Sequence, residues 1–311
     1  MPEAVPPNLA AALRWAEALG LPRLSAQWLL LHALQRPPEQ RAWLLAHDDA
    51  PLTDEAWARF RAACRRHAAG EPLAYITGER GFYGVTLQVD ARVLDPRPDT
   101  EILVDWALEV MRDMAAPTVL DLGTGSGAIA LALARARPDA QVWALDVSTD
   151  ALAVAAANGQ RLGLPVRWLH GHWWDDWRPW GHTQPAPTRF DLILSNPPYV
   201  RDDDPHLVAL RHEPRLALVA GPDGLRDLRT LVDGSPAHLR HRGWLLLEHG
   251  WDQSEAVTER LRARGFADVA RRRDLGGQWR CAGGRWLADP KAASPPGPHP
   301  CTPHTPTKSG R

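Results

Sequence analysis

Val119-Leu120-Asp121-Leu122-Gly123-Thr124-Gly125-Ser126-Gly127-Ala128-Ile129-Ala130-Leu131-Ala132-Leu133 reads as an apolar strand, a glycine turn and an Ala/Leu helix. Glycines let the backbone pass close beneath a ligand, and the helix N-terminus adds partial positive charge. Gly123, Gly125 and Ala128 satisfy the dinucleotide-binding pattern. The next apolar run, Gln141-Val142-Trp143-Ala144-Leu145-Asp146, ends in an acid about twenty residues beyond the glycines, the spacing for ribose hydroxyl recognition. A bidentate contact from Asp146 to two ribose hydroxyls explains an acid at that strand end. Asp121, beside the glycines, is a candidate for orienting a cofactor amine. This pair of units fits NAD and S-adenosylmethionine equally well.

A third unit breaks the tie. Phe190-Asp191-Leu192-Ile193-Leu194-Ser195 is a buried-strand pattern that runs into Asn196-Pro197-Pro198-Tyr199. The nitrogen of an amide or aromatic amine is a poor nucleophile because its lone pair is delocalised. An Asn carbonyl and the backbone carbonyl of the next residue can accept both hydrogens of such an NH2, and a Pro-Pro pair fixes the backbone without adding a competing N–H. Tyr199 is then expected over the flat face of the substrate. Hydride transfer has no use for this clamp; methylation of nitrogen does. The dehydrogenase reading is set aside on that ground.

Composition narrows the partners. The chain has 311 residues, enough for two modest domains. Its formal net charge of −1 gives no global basic field for nonspecific nucleic-acid binding. Cys64, Cys281 and Cys301 are widely spaced and odd in number, which suits a reducing compartment and offers no zinc cage; no metal is expected. No leader pattern or long apolar run is present, so the expectation is cytoplasmic, without membrane association. Lys291 and Lys308 are the only lysines while arginine, alanine and tryptophan abound, a compositional bias rather than a device.

Four segments together carry a resemblance. Asp121 to Gly127, Asn196 to Tyr199, the upstream Arg97-Pro98-Asp99-Thr100-Glu101 and the downstream Leu247-Glu248-His249-Gly250 resemble the peptide chain release factor glutamine methyltransferases, PrmC, historically called HemK. Pro72 to Glu79 and His212-Glu213-Pro214 are also similar to that family, and the likeness covers roughly residues 10 to 288. The resemblance implies methyl transfer from S-adenosylmethionine, with S-adenosylhomocysteine as product, to the side-chain amide of the Gln in the Gly-Gly-Gln loop of class-1 release factors. A DNA methyltransferase acting on adenine uses the same type of clamp, but net charge and the lack of a target-recognition domain disfavour it. A noncatalytic release-factor or ribosome-binding module is disfavoured by the intact glycines, Asp146 and clamp.

The expected fold is α/β: a doubly wound, Rossmann-like class I methyltransferase domain with a small N-terminal helical domain joined by a β-hairpin. The expected boundaries are 1–74 for a helical substrate-binding domain, 75–95 for the hairpin linker, 96–289 for the methyltransferase domain and 290–311 for a disordered tail. Strands are predicted near 118–122, 141–146, 166–170, 190–195 and 243–248, then around 266–273 and 279–287. Cofactor contacts are expected from Asp121, Gly123, Thr124, Gly125, Ser126, Gly127, Asp146, Trp173 and Asn196; substrate contacts from Asn196, Pro197, Pro198 and Tyr199, of which Asn196, Pro197 and Tyr199 are catalytic candidates.

Trp173 and Trp174 compete for the adenine face, and His172 stands where the family usually has an acid. Arg97 and Glu101 are expected to form no more than an exposed ion pair. Glu248 and His249 end an apolar strand, but a sulfonium methyl transfer needs no acid/base pair, since the nitrogen can shed its proton after attack. Gly276-Gly277-Gln278 is read as a coincidental turn between late strands.

Overall fold

The computed structural model describes residues 5–288, so the expected disordered tail and Cys301 lie outside the described residues. The chain begins with α1 (Leu9–Ala18), α2 (Arg23–Ala33), α3 (Arg41–Ala46), α4 (Asp54–Ala68) and α5 (Leu73–Thr77). Asn8 caps α1 through the Ala11 amide, and Thr53 caps α4 through the Ala56 amide, each satisfying a donor the helix cannot use itself. Their apolar faces close on one core that includes Leu13, Leu29, Leu30, Trp57 and Phe60.

Strand pairing in the connecting segment is confined to β1 (Glu79–Phe82) and β2 (Val85–Gln88). Residues 75–77, expected as part of the hairpin, are helical instead. Burial decides this over β-propensity: Ile76 packs into the helical core while Tyr75, two faces of one turn apart, packs into the sheet core and donates its hydroxyl to the Val93 carbonyl. A single helical turn therefore ties both cores together.

After α6 (Glu101–Val110) come β3 (Thr118–Leu122), α7 (Ala128–Ala136), β4 (Gln141–Asp146), α8 (Thr149–Leu162), β5 (Val166–His172), β6 (Asp175–Trp180), β7 (Phe190–Ser195), α9 (Arg226–His238), β8 (Leu239–Glu248), α10 (Ser254–Ala263), β9 (Phe266–Arg273) and β10 (Trp279–Trp286). They build an eight-stranded sheet in the order β6-β5-β4-β3-β7-β8-β10-β9, parallel from β5 to β8 and antiparallel at β6 and β10. Strand residues alternate between two cores, as a sheet covered on both faces requires: Val119, Val142, Leu192 and Leu246 go to one, Leu120, Leu145, Ile193 and Leu247 to the other.

β6 carries no alternating apolar pattern and contains Pro179, so only its pairing with β5 reveals it; as an edge strand it tolerates the proline. β8 begins four residues before its predicted start, because a register shift opposite Phe190 and Leu192 accommodates the polar stretch that hides it. The strand order reverses between β3 and β7, which opens a crevice at the carboxyl ends of the central strands.

Candidate functional site

The glycine turn leaves the end of β3 at this reversal. Leu145 on the neighbouring β4 accepts the amides of Gly123 and Thr124 at 2.8 and 3.0 Å. Asp146 accepts the Gly125 amide on Oδ2 at 2.8 Å and the Ser148 amide on Oδ1 at 2.9 Å. Each carboxylate oxygen thus keeps lone-pair capacity for a further donor. Burial raises the Asp146 pKa, and these backbone amides oppose the shift.

Gly123, Gly125, Asp146, Trp173, Asn196 and Pro198 all line one open cleft of about 860 Å³. Gly125 has φ +55°, and a Cβ built on it meets no protein atom within 4 Å. The space it faces belongs to the cleft. Asp121, Thr124, Ser126 and Gly127, expected as ligands, are not cleft-lining; the last three shape the turn. Asn158 Nδ2 donates to the Ser126 carbonyl at 3.1 Å, and Gly127 abuts Leu131, Ala155 and Trp168. Asp121 lies beneath the turn, fully buried, with Oδ2 accepting from the Thr124 hydroxyl at 2.6 Å and Oδ1 without a partner. Burial pushes its pKa up to about 7, opposed by that hydrogen bond and by the Ala130 backbone and reinforced by the Asp146 charge.

The two tryptophans part ways. Trp173 lines the cleft, is 8% exposed and donates Nε1 to Asp227 at 3.1 Å. Trp174 turns to α9, donating to the Thr230 carbonyl at 2.8 Å and stacking on His238 with centroids 4.8 Å apart. His172 is exposed at the cleft edge. Asp227, which anchors Trp173 and pairs with Arg226 at 2.8 Å, carries no signal in the sequence beyond its place in an amphipathic helix.

Asn196-Pro197-Pro198-Tyr199 follows β7. Ser195 donates to the Leu122 carbonyl at 2.6 Å, which pins the end of β7 to the end of β3. Asn196 Nδ2 donates to Thr100 Oγ1 at 3.1 Å, leaving Oδ1 as the end available to an outside donor. Pro197 is buried. Tyr199 is half-buried and outside the cleft lining; its hydroxyl donates to Glu248 Oε1 at 3.1 Å. Gln253 donates to the carbonyls of Tyr199 at 2.9 Å and Gly224 at 3.2 Å, and accepts the Gly250 amide at 2.8 Å. Gly224 is obligatory in this arrangement, since a Cβ there would stand 2.3 Å from the Tyr199 carbonyl oxygen. Neither Gln253 nor Gly224 has a motif that marks it in the sequence.

The exposed Arg97–Glu101 pair does not form. Glu101 accepts the Tyr83 amide at 2.9 Å, and Arg97 reaches Glu213, whose side chain is 3% exposed, at 2.5 Å. Long-range closure of the loop after the clamp, invisible in local spacing, explains the difference. Glu248 and His249 make no acid/base pair: His249 is buried, with Nδ1 on the Gly250 carbonyl and its pKa lowered by burial. Gly276-Gly277-Gln278 lies in the turn between β9 and β10. Among the described residues no cluster of three His, Cys, Asp or Glu side chains is arranged to hold a metal, and no helix is long and apolar enough to cross a membrane.

Residues 9–78 match the PrmC N-terminal domain and residues 99–212 the methyltransferase small domain. The release factor glutamine methyltransferase of Bordetella pertussis is 49% identical over 267 residues, 85% of this chain and 95% of that protein. That of Burkholderia pseudomallei is 45% identical over 287 residues, 90% of this chain and 97% of that protein. Among solved structures, the hMettl16 catalytic domain in complex with MAT2A 3'UTR hairpin 1 superposes with a TM-score of 0.54 over 84% of this chain and 92% of its own, at 14% identity, a likeness of fold alone. The extent and level of the sequence matches settle the family: this chain belongs to the release factor glutamine methyltransferases.

Proposed function

We propose that the protein methylates the side-chain amide nitrogen of the glutamine in the Gly-Gly-Gln motif of class-1 peptide chain release factors, using S-adenosylmethionine. The observation that carries this reading is that the glycine turn with Asp146 and the Asn196 clamp open onto one cleft.

The residues present fit the cofactor. The space above Gly125 is free of protein atoms, Asp146 has acceptor capacity left for two hydroxyls, and Asp121 holds a buried, unpartnered oxygen beneath the turn. Asp146 would hold the ribose, Trp173 the adenine face, and Asp121 the amino group by charge. When bound, S-adenosylmethionine supplies a sulfonium-activated methyl group.

Asn196 Oδ1 and the Pro197 carbonyl accept the two N–H bonds of the substrate amide, which orients its lone pair. Pro198 fixes the backbone direction and Tyr199 bounds the clamp. Most of the acceleration comes from this positioning. Water exclusion adds to it, because attack on a sulfonium disperses charge that water would stabilise in the ground state. Residues 1–74 serve as the substrate-binding domain, 75–95 as the linker and 96–289 as the catalytic domain, acting in the cytoplasm without metal or stable nucleic-acid binding.

The test is mass spectrometry of a purified, unmodified class-1 release factor after incubation with the protein and S-adenosylmethionine. One methyl on the Gly-Gly-Gln glutamine is the expected result. No transfer by a preparation that binds the cofactor in calorimetry overturns the assignment and moves the search to another amide or to a nucleobase amine.

A further inference from the structure

An amide side chain presents two ends of nearly equal shape and opposite polarity. For Asn196 the difference is decisive, since Nδ2 turned to a substrate NH2 sets donor against donor, whereas Oδ1 accepts. Something must choose between them. We propose that Thr100 and Glu248 are positioning residues that set this choice, Thr100 by accepting from Asn196 Nδ2 and Glu248 by taking the hydrogen of the Thr100 hydroxyl. The inference rests on the clamp reading above.

The geometry is as follows. Thr100, 4% exposed, lies immediately before α6 with Oγ1 at 3.1 Å from Asn196 Nδ2. Glu248, 1% exposed, ends β8, the strand beside the one that delivers Asn196. Tyr199, three residues after Asn196, gives its hydroxyl to Glu248 Oε1 at 3.1 Å. Thr100 helps to hold the Glu248 carboxyl in its charged form, and Glu248 Oε2 has no direct hydrogen-bond partner, so it is open to the Thr100 hydrogen. An ionised carboxylate can only accept, so both hydroxyls must point their hydrogens at it. A threonine hydroxyl has one hydrogen. Once that is committed to Glu248, only lone pairs face Asn196, and these select Nδ2. Oδ1 is then left for the substrate.

Protonation of Glu248 undoes the logic, because a carboxyl O–H can donate to Thr100 and release its hydrogen toward Asn196, where it favours Oδ1. Burial raises Glu248 to about 7, opposed by Thr100, Tyr199 and Arg280. The charged groups that face it are Arg280 on β10 and Asp99 in the segment ahead of α6; Arg280 is itself paired with Asp99 at 3.5 Å and Asp274 at 3.0 Å. Cys281, its register partner on β10, stays a neutral thiol because burial raises its pKa well above the usual value. Turnover should therefore rise with pH through about 7.

The experiment measures kcat, both KM values and their pH profiles for the full chain with Thr100→Val, Thr100→Ser, Glu248→Gln and Asn196→Ala, using release factor and S-adenosylmethionine. Thr100→Val should lower kcat about 10- to 100-fold, the range for groups that orient a functional residue, with both KM values within about twofold. Thr100→Ser should recover most of that loss, and Glu248→Gln should lose the rise in kcat near neutral pH. Wild-type kcat in Thr100→Val, or an unchanged pH rise in Glu248→Gln, overturns the positioning role. If Thr100→Val does not fold, failure of Thr100→Ser to retain kcat in a folded, cofactor-binding protein overturns it equally. Asn196→Ala separates the two readings: full activity there refutes the clamp itself, whereas loss there with an active Thr100→Val refutes only the relay.

Discussion

Arg97 Nη2 stands 2.5 Å from Glu213 Oε1, joining the segment before α6 to the loop that follows the clamp, 116 residues later. Arg97 also reaches Asp95 at 3.5 Å, and Asp95 takes Arg80 of the hairpin at 3.3 Å. The residues just after Glu213, namely Pro214, Leu216 and Ala217, line the cleft. The pair therefore closes one wall of the site over a long chain separation.

Arg97→Ala leaves the buried Glu213 carboxylate without its partner. An uncompensated buried charge costs several kcal/mol, but the Arg97 side chain is 35% exposed and water screens part of the loss. A destabilisation of about 1–3 kcal/mol is expected in urea unfolding, with weaker cofactor binding by calorimetry. Glu213→Gln, which keeps a hydrogen-bond acceptor, should lose less on both counts.

Gly125→Arg separates folding from binding. A non-glycine residue at φ +55° costs about 1–2 kcal/mol, and the new side chain meets only the open cleft. The melting temperature should fall by a few degrees while S-adenosylmethionine titration shows no binding. Retained S-adenosylmethionine binding by a folded variant would show that the space over Gly125 is not a ligand site.

Gly224→Ala forces its Cβ against the Tyr199 carbonyl and within 2.7 Å of Gln253 Nε2. The clamp backbone must move, and displacements of about 1 Å can lower turnover on the order of a hundredfold. Cofactor affinity, assigned in our proposal to Asp146, Trp173 and the glycine turn, should stay within about threefold in calorimetry, the split expected when positioning alone is lost. Gln253→Ala, which removes the latch without a clash, should show the same split more mildly.

Trp173→Ala and Trp174→Ala differ in kind. Trp173 lines the cleft, so its loss should weaken cofactor binding about 10-fold or more, consistent with aromatic stacking worth roughly 1–3 kcal/mol per base. Trp174 packs on His238 and α9, and its loss should show in unfolding and leave the cofactor titration unchanged.

The Asp121 carboxyl gives a pH signature. Its pKa is about 7 in the folded protein against 3.8 for the ordinary group, so the folded state holds the proton more tightly. Between those values the unfolded chain binds fewer protons, and this group makes stability fall as pH rises. Asp121→Asn should flatten that part of the slope in urea titrations from pH 4.5 to 7.5. An identical slope in the variant would show that Asp121 ionises normally.

Much of the site was legible because its chemistry is local in the chain. A strand, glycine turn and helix in one stretch announce Gly123, Gly125 and the crevice above them, and the four residues after β7 announce the double hydrogen-bond acceptor proposed above. Asp146 follows from spacing along a single strand and turn. The edge strand β6 is not legible in the sequence because pairing with β5, rather than its own pattern, makes it a strand. The helical state of residues 75–77 is not legible either, because two cores claim different faces of one helical turn.

The sequence alone determined the alternation of strands and helices, the glycine turn after β3 and the Asn196-Pro197-Pro198-Tyr199 segment after β7, since each depends on covalent neighbours and backbone preference. Tertiary structure alone decided what supports them: Thr100 and Glu248 behind Asn196, Gln253 and Gly224 under Tyr199, Glu213 on Arg97, and Trp173 rather than Trp174 in the cleft. These partners lie tens of residues to more than a hundred residues apart, and their contacts exist only once the buried sheet brings strand ends together and removes water from the polar groups between them.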